Sequence, residues 1–96
     1  MATFIMLSTL TDEGAATITE DPNRIKAVNS ELERMGIKVI SQYAVLGPYD
    51  FVNVVEAPDN LTIARVSAAL SSRGTIRLLT MPAIPIDQFI AGLGQG

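Results

Sequence analysis

The sequence predicts one α+β domain in which a four-stranded antiparallel sheet carries two helices on one face. Three observations lead there. The 96 residues are 48% hydrophobic and 18% charged, enough for one packed core but too short a chain for a second. Apolar runs of strand length alternate with segments of helical period. The order strand, helix, glycine, strand occurs twice.

Taken in order, Thr3 to Leu10 is a short continuous apolar run containing Phe4, Ile5, Met6 and Leu7, which predicts a central strand. Thr11-Asp12-Glu13-Gly14 reads as an acidic loop, and Asp21-Pro22 as an N-cap carboxylate followed by a first helical residue. Ile25, Val28, Leu32 and Met35 follow at steps of three and four, opposite a charged side, until Gly36 ends the helix. Ile37 to Leu46 is rich in β-branched residues and predicts a second strand, and Phe51 to Val55 a third. Pro58-Asp59 opens a helix with Leu61, Ile63, Ala64, Val66, Ala68 and Leu70 on its apolar side, stopped by Gly74. Thr75 to Met81 is the fourth strand.

Two right-handed crossovers then give a ferredoxin-like βαββαβ domain with sheet order 4-1-3-2. It spans residues 1–96, of which 82–96 form a short C-terminal helix, docked through Phe89 and Ile90, and a frayed tail. With Pro48-Tyr49 at a hairpin tip, Ala44 would face Asn53 and Tyr43 would face Val54. That register sends Val39, Tyr43, Val45, Val52 and Val54 toward the helices. It leaves Ile40, Gln42, Ala44, Leu46, Phe51, Asn53 and Val55 on the bare side. Such an apolar bare face calls for a partner, and a second copy of the chain is the simplest. Gln42, Ala44, Phe51 and Val55 are the expected interface residues.

Composition narrows the chemistry. There is no histidine and no cysteine, which excludes a Ser-His-Asp triad, a thiolate nucleophile and an ordinary zinc or haem site. No metal or cofactor is expected. The net charge of −3 opposes binding to phosphate backbones and anionic membranes. The first residues lack the basic leader of an export signal, so the expected compartment is the cytoplasm.

Four segments carry a likeness: Thr11-Asp12-Glu13-Gly14, Leu46-Gly47-Pro48-Tyr49-Asp50-Phe51-Val52, Val55-Glu56-Ala57-Pro58-Asp59 and Ser72-Arg73-Gly74. In this order and spacing the chain resembles the GYD domain family over residues 2–90. The resemblance implies the dimeric α+β barrel superfamily, in which the sheets of two copies pack together, and it implies no established activity. The chain departs from the family at Thr80 to Pro85, which is apolar where the family is usually more charged.

The ligand-binding candidates are Tyr43, Tyr49, Asp50, Asn53 and Arg77. The Tyr49 hydroxyl beside Asp50 has the groups to bind a polar ligand, although turn chemistry alone accounts for Gly47, Pro48 and Asp50. Arg77 on an apolar strand is suited either to clamping a carboxylate or to guarding an edge. Asn53 on a central strand needs hydrogen-bond partners, expected across a dimer interface. Glu56 reads as a solvated strand end. These residues favour a small homo-oligomeric binding or regulatory module for a small organic molecule. The alternatives are a cofactor-free oxygenase or isomerase using Tyr43, Tyr49, Asp50 and Arg77, and a structural assembly subunit.

Overall fold

The computed structural model describes residues 1–94; Gln95 and Gly96, the last two residues of the expected tail, lie outside the described residues. The strands are β1 (Ala2–Leu10), β2 (Lys38–Ala44), β3 (Phe51–Ala57) and β4 (Ile76–Ala83), and the helices are α1 (Asp12–Glu20), α2 (Arg24–Arg34), α3 (Asn60–Ser71) and α4 (Ile86–Leu93). The sheet is antiparallel in the order β2-β3-β1-β4, the expected ferredoxin-like arrangement. The first crossover contains two helices where the sequence predicts one.

The unexpected helix, α1, occupies the supposed acidic loop. Thr11 caps it by accepting a hydrogen bond from the Gly14 N–H (3.1 Å), and Asp12 and Glu13 occupy the first turn, where negative charge favours the helix dipole. Thr11 also ties the helix to the distant α3–β4 loop. Its hydroxyl donates to the Gly74 carbonyl (2.8 Å) and its N–H to the Thr75 carbonyl (3.0 Å). Gly14 permits this approach, since a Cβ there would lie 1.9 Å from the Thr75 oxygen.

The other helix ends follow local rules. Asp21 closes α1 and does not cap α2 with its side chain. Helix α2 ends in a Schellman motif: Gly36 takes φ +89°, Ile37 N–H donates to the Leu32 carbonyl (2.9 Å), and Gly36 N–H donates to that of Glu33 (3.1 Å). Asp59 caps α3 by accepting from the Thr62 N–H (2.8 Å), which holds its carboxyl below the usual aspartate range.

The core lies between one sheet face and α2 and α3. Phe4, Met6, Val55 and Ala57 from the sheet meet Leu32, Ile63, Val66 and Leu70 from the helices, with Ile37 beside them. This reverses the predicted faces. Phe51, Asn53 and Val55 point to the helices, whereas Val52 and Val54 take the other face with Ile5 and Leu7. The expected interface residue Val55 is fully buried in this core, and Gln42, Ala44 and Phe51 share its side of the sheet. Both sides of β3 are apolar, so alternation separated the faces without saying which one the helices take. A bulge between Val39 and Ser41 further breaks the alternation in β2, so that Val39 and Gln42 share a face.

The hairpin register also differs, by two residues. Ala44 pairs with Phe51 and Tyr43 with Val52, leaving a six-residue loop closed by the Val45 N–H on the Asp50 carbonyl (2.9 Å). Proline explains this. A two-residue hairpin needs positive φ at its first central position, which Pro48 cannot adopt, and Gly47 supplies positive φ (+119°) one residue earlier.

Strand β4, at the edge of the sheet, runs through Pro82, which lies opposite Phe4 of β1. Helix α4 does not dock as expected. It has no buried residue, and Ile86, Phe89, Ile90 and Leu93, spaced along one face, are 48–67% exposed.

Replacing Gly14 by Ala is expected to lower stability by about 3 kcal/mol through forced separation of α1 from Thr75. Gly92→Ala, at a site with open space around it, is the control and should leave urea denaturation nearly unchanged.

Candidate functional site

Two features of the fold have room for a partner, and they lie on opposite sides of the sheet. On the helix side, a cavity of about 120 Å³ opens between the sheet and helices α1 and α2. Its walls are largely apolar, from Met6, Leu10, Ile18, Ile25, Val28, Ile76 and Leu78. Ser8, Asn53 and Gln42 from the sheet and Asn29 from α2 bring polar atoms to it.

Those amides form one chain. Asn53 Nδ2 donates to the Met6 carbonyl (3.1 Å), and Asn53 Oδ1 accepts from Gln42 Nε2 (2.8 Å). Gln42 Oε1 in turn accepts from Asn29 Nδ2 (2.8 Å). The polar residue that called for a partner across an interface is therefore satisfied within its own protomer, through a neighbouring strand and a helix. At the rim, Arg73 donates to both carboxylate oxygens of Glu31 (2.9 and 2.5 Å). This pair holds the Glu31 carboxyl below its usual range and raises the Arg73 guanidinium above its own.

Among the described residues, no helix covers the opposite face. Strand pairing arranges it in two rows: Tyr43, Val52, Leu7 and Leu79 form one, and Ser41, Val54, Ile5 and Met81 the next. Leu79 and Met81 are 46% and 38% exposed. Polar rows border this apolar centre, Thr9 with Arg77 at one end and Thr3, Glu56 and Lys38 at the other. An apolar centre inside a polar rim is the anatomy of a protein interface.

The structure separates the sequence-derived ligand candidates. Tyr43 and Arg77 lie on the bare face, on the two edge strands and in different rows, so three strand spacings alone put them more than roughly 14 Å apart. Tyr49 is half-buried in the hairpin loop. Asp50 is engaged with backbone: one carboxylate oxygen accepts from the Leu10 N–H (2.7 Å), its own N–H donates to the Ser8 carbonyl (2.9 Å), and its carbonyl accepts from Val45. Of the five candidates, Asn53 alone lines the cavity. Glu56, read as a solvated strand end, lies in the polar border of the bare face. Among the described residues no group of three or more acidic side chains is placed to hold a metal ion.

Sequence reasoning missed Ser8 and Asn29, yet both left a trace. Ser8 shares the parity of Phe4 and Met6 in β1, and Asn29 lies four residues after Ile25 and three before Leu32, on the apolar side of α2. A polar residue in an inward position was the available signal.

Fold and surfaces together define a two-layer α+β domain whose sheet is covered on one side only. The GYD domain family model matches residues 4–93, and the chain belongs to that family. It is 60% identical over 94 residues to the "Glutamine synthetase and cystathionine beta-lyase binding protein" of Thermus thermophilus, covering 97% of this chain and 99% of that one. Its fold is similar to the crystal structure of TTHA0845 from the same organism, with a TM-score of 0.57 over 88% of this chain and 95% of the other, at 24% identity.

Removing the Asp50 carboxylate should cost about 2 kcal/mol, the range for a hydrogen bond to a charged group. Denaturation of Asp50→Ala measures it, and a loss below about 0.5 kcal/mol would show that this clasp is dispensable.

Proposed function

We propose that this chain is a homodimeric binding protein that engages a metabolic enzyme and holds a small organic molecule in its helix-side cavity. The observation that carries the reading is the apolar, uncovered sheet face. Left in water, the rows centred on Leu7 and Ile5 would expose a continuous apolar surface across β3, β1 and β4, which Tyr43 extends onto β2. A second copy offers the same rows for a two-fold, self-complementary contact. Helix α4 supports the reading, because an eight-residue helix with four exposed apolar side chains has little stability in water by itself.

The enzyme partner comes from the relationship to the Thermus thermophilus protein, whose name describes binding to two enzymes. The helix-side cavity is the basis for the small-molecule part. An oxygenase or isomerase built on Tyr43, Tyr49, Asp50 and Arg77 gains no support, since the fold does not gather these groups around one space. No helix among the described residues is long and apolar enough to cross a membrane, and the cytoplasm remains the proposed compartment.

Leu79→Glu places a charge within the bare face without touching the core. Sedimentation velocity should show the wild type as a dimer and the variant as a monomer with unchanged far-ultraviolet circular dichroism. A variant that stays dimeric would contradict the sheet-face contact. Mixed with purified glutamine synthetase or cystathionine β-lyase from the same organism, the wild type should co-sediment with at least one, and failure with both would contradict the partner assignment.

A further inference from the structure

The polar end of the helix-side cavity keeps hydrogen-bonding capacity that the protein itself does not use. Ser8 is 5% exposed, and its hydroxyl makes no hydrogen bond with the protein among the described residues while the residue lines the cavity. Asn53 uses one amide proton on the Met6 carbonyl and keeps the other. Ser8 pairs with Phe51 and Asn53 with Met6, so the two side chains are diagonal neighbours on the same face of the β1–β3 ladder, roughly 7 Å apart. A single oxygen atom between them can reach both. No fully buried side-chain oxygen or nitrogen among the described residues lacks a partner, so the Ser8 hydroxyl opens onto the cavity and is free to bond a ligand there.

The remaining walls set the rest of the ligand. About 120 Å³ is slightly below the volume of an engineered protein cavity that takes benzene, roughly 150 Å³, which limits the occupant to about one ring. Of the two cations that line the cavity, Arg73 is already paired with Glu31 through two hydrogen bonds, and Arg24 is exposed, so that water screens its charge. An anion seated against the apolar walls would lose its hydration without a buried ion partner to replace it.

We propose that the cavity binds a neutral, ring-sized molecule carrying one hydroxyl group, with that oxygen between Ser8 and Asn53 and the apolar body against Val28, Ile25 and Leu78. The inference rests on the small-molecule part of the proposed function and adds the ligand's chemical class and orientation.

Phenol, toluene and benzoate serve as probes, titrated into the full-length protein while the backbone and side-chain amide resonances are followed by NMR. Phenol is expected to shift Ser8 and the Asn53 and Gln42 side-chain amides, and to bind more tightly than either other probe. Ser8→Ala should weaken phenol roughly 2- to 10-fold, the value of one neutral hydrogen bond, and leave toluene unchanged. Val28→Phe, which fills the cavity, should abolish both. Toluene binding as tightly as phenol, or benzoate binding more tightly, would overturn the hydroxyl assignment while leaving a small-molecule site. No shift at these residues with any probe at millimolar concentration would overturn the site and the small-molecule reading together. Should Val28→Phe fail to fold, the Ser8→Ala comparison between phenol and toluene still decides the orientation.

Discussion

All the covering helices of this sheet lie on one side, and the rest of the molecule answers to that asymmetry. A strand sends alternate side chains to opposite faces, so β1 cannot place Phe4 and Met6 in the core without sending Ile5 and Leu7 the other way. Right-handed crossovers keep α2 and α3 on the same layer. The second face is then left without cover from any helix of the described residues. Helix α4 is in the same position, with its apolar stripe carried past the end of β4 and away from the core.

The residues by which the family is most easily known hold the layers together. Thr11 and Gly14 clasp α1 to the loop at Gly74 and Thr75, Asp50 joins the ends of all three strands near the hairpin, and Asp59 starts α3. Each acts on backbone groups, where geometry is exacting and few side chains will serve. The surfaces open to partners are instead built from interchangeable aliphatic residues. Likeness in the clasps therefore carries the fold far better than it carries the choice of partner.

The same division governs what was legible in the sequence. Strand order and helices α2 and α3 were readable because Ile25, Val28 and Leu32, and Ile63, Val66 and Leu70, repeat with helical period. Helix α1 was not, since Ala15 to Thr19 has one large apolar residue, Ile18, and its start depends on Thr11 meeting a loop more than 60 residues away. The choice of inward face was hidden for a different reason: Val52 and Val54 are as apolar as Val55, and the decision rests on which face the long-range contacts with Leu32 and Leu70 select. The uncovered apolar face was foreseen in kind, although its residues are Leu7, Ile5, Val54 and Leu79 and not the expected set. At the site, Asn53 stood out in the sequence as a polar residue on a central strand, and its partners Gln42 and the Met6 carbonyl lie within the same chain.

The central claim is that a second copy covers the bare sheet face. Native mass spectrometry of the gently purified protein tests it most directly, because subunit number is read without a label or a variant. Twice the 10.3 kDa chain mass, or an even multiple of it, persisting on dilution to low micromolar concentration, is the predicted result. A chain that remains a folded monomer at every concentration would contradict the account.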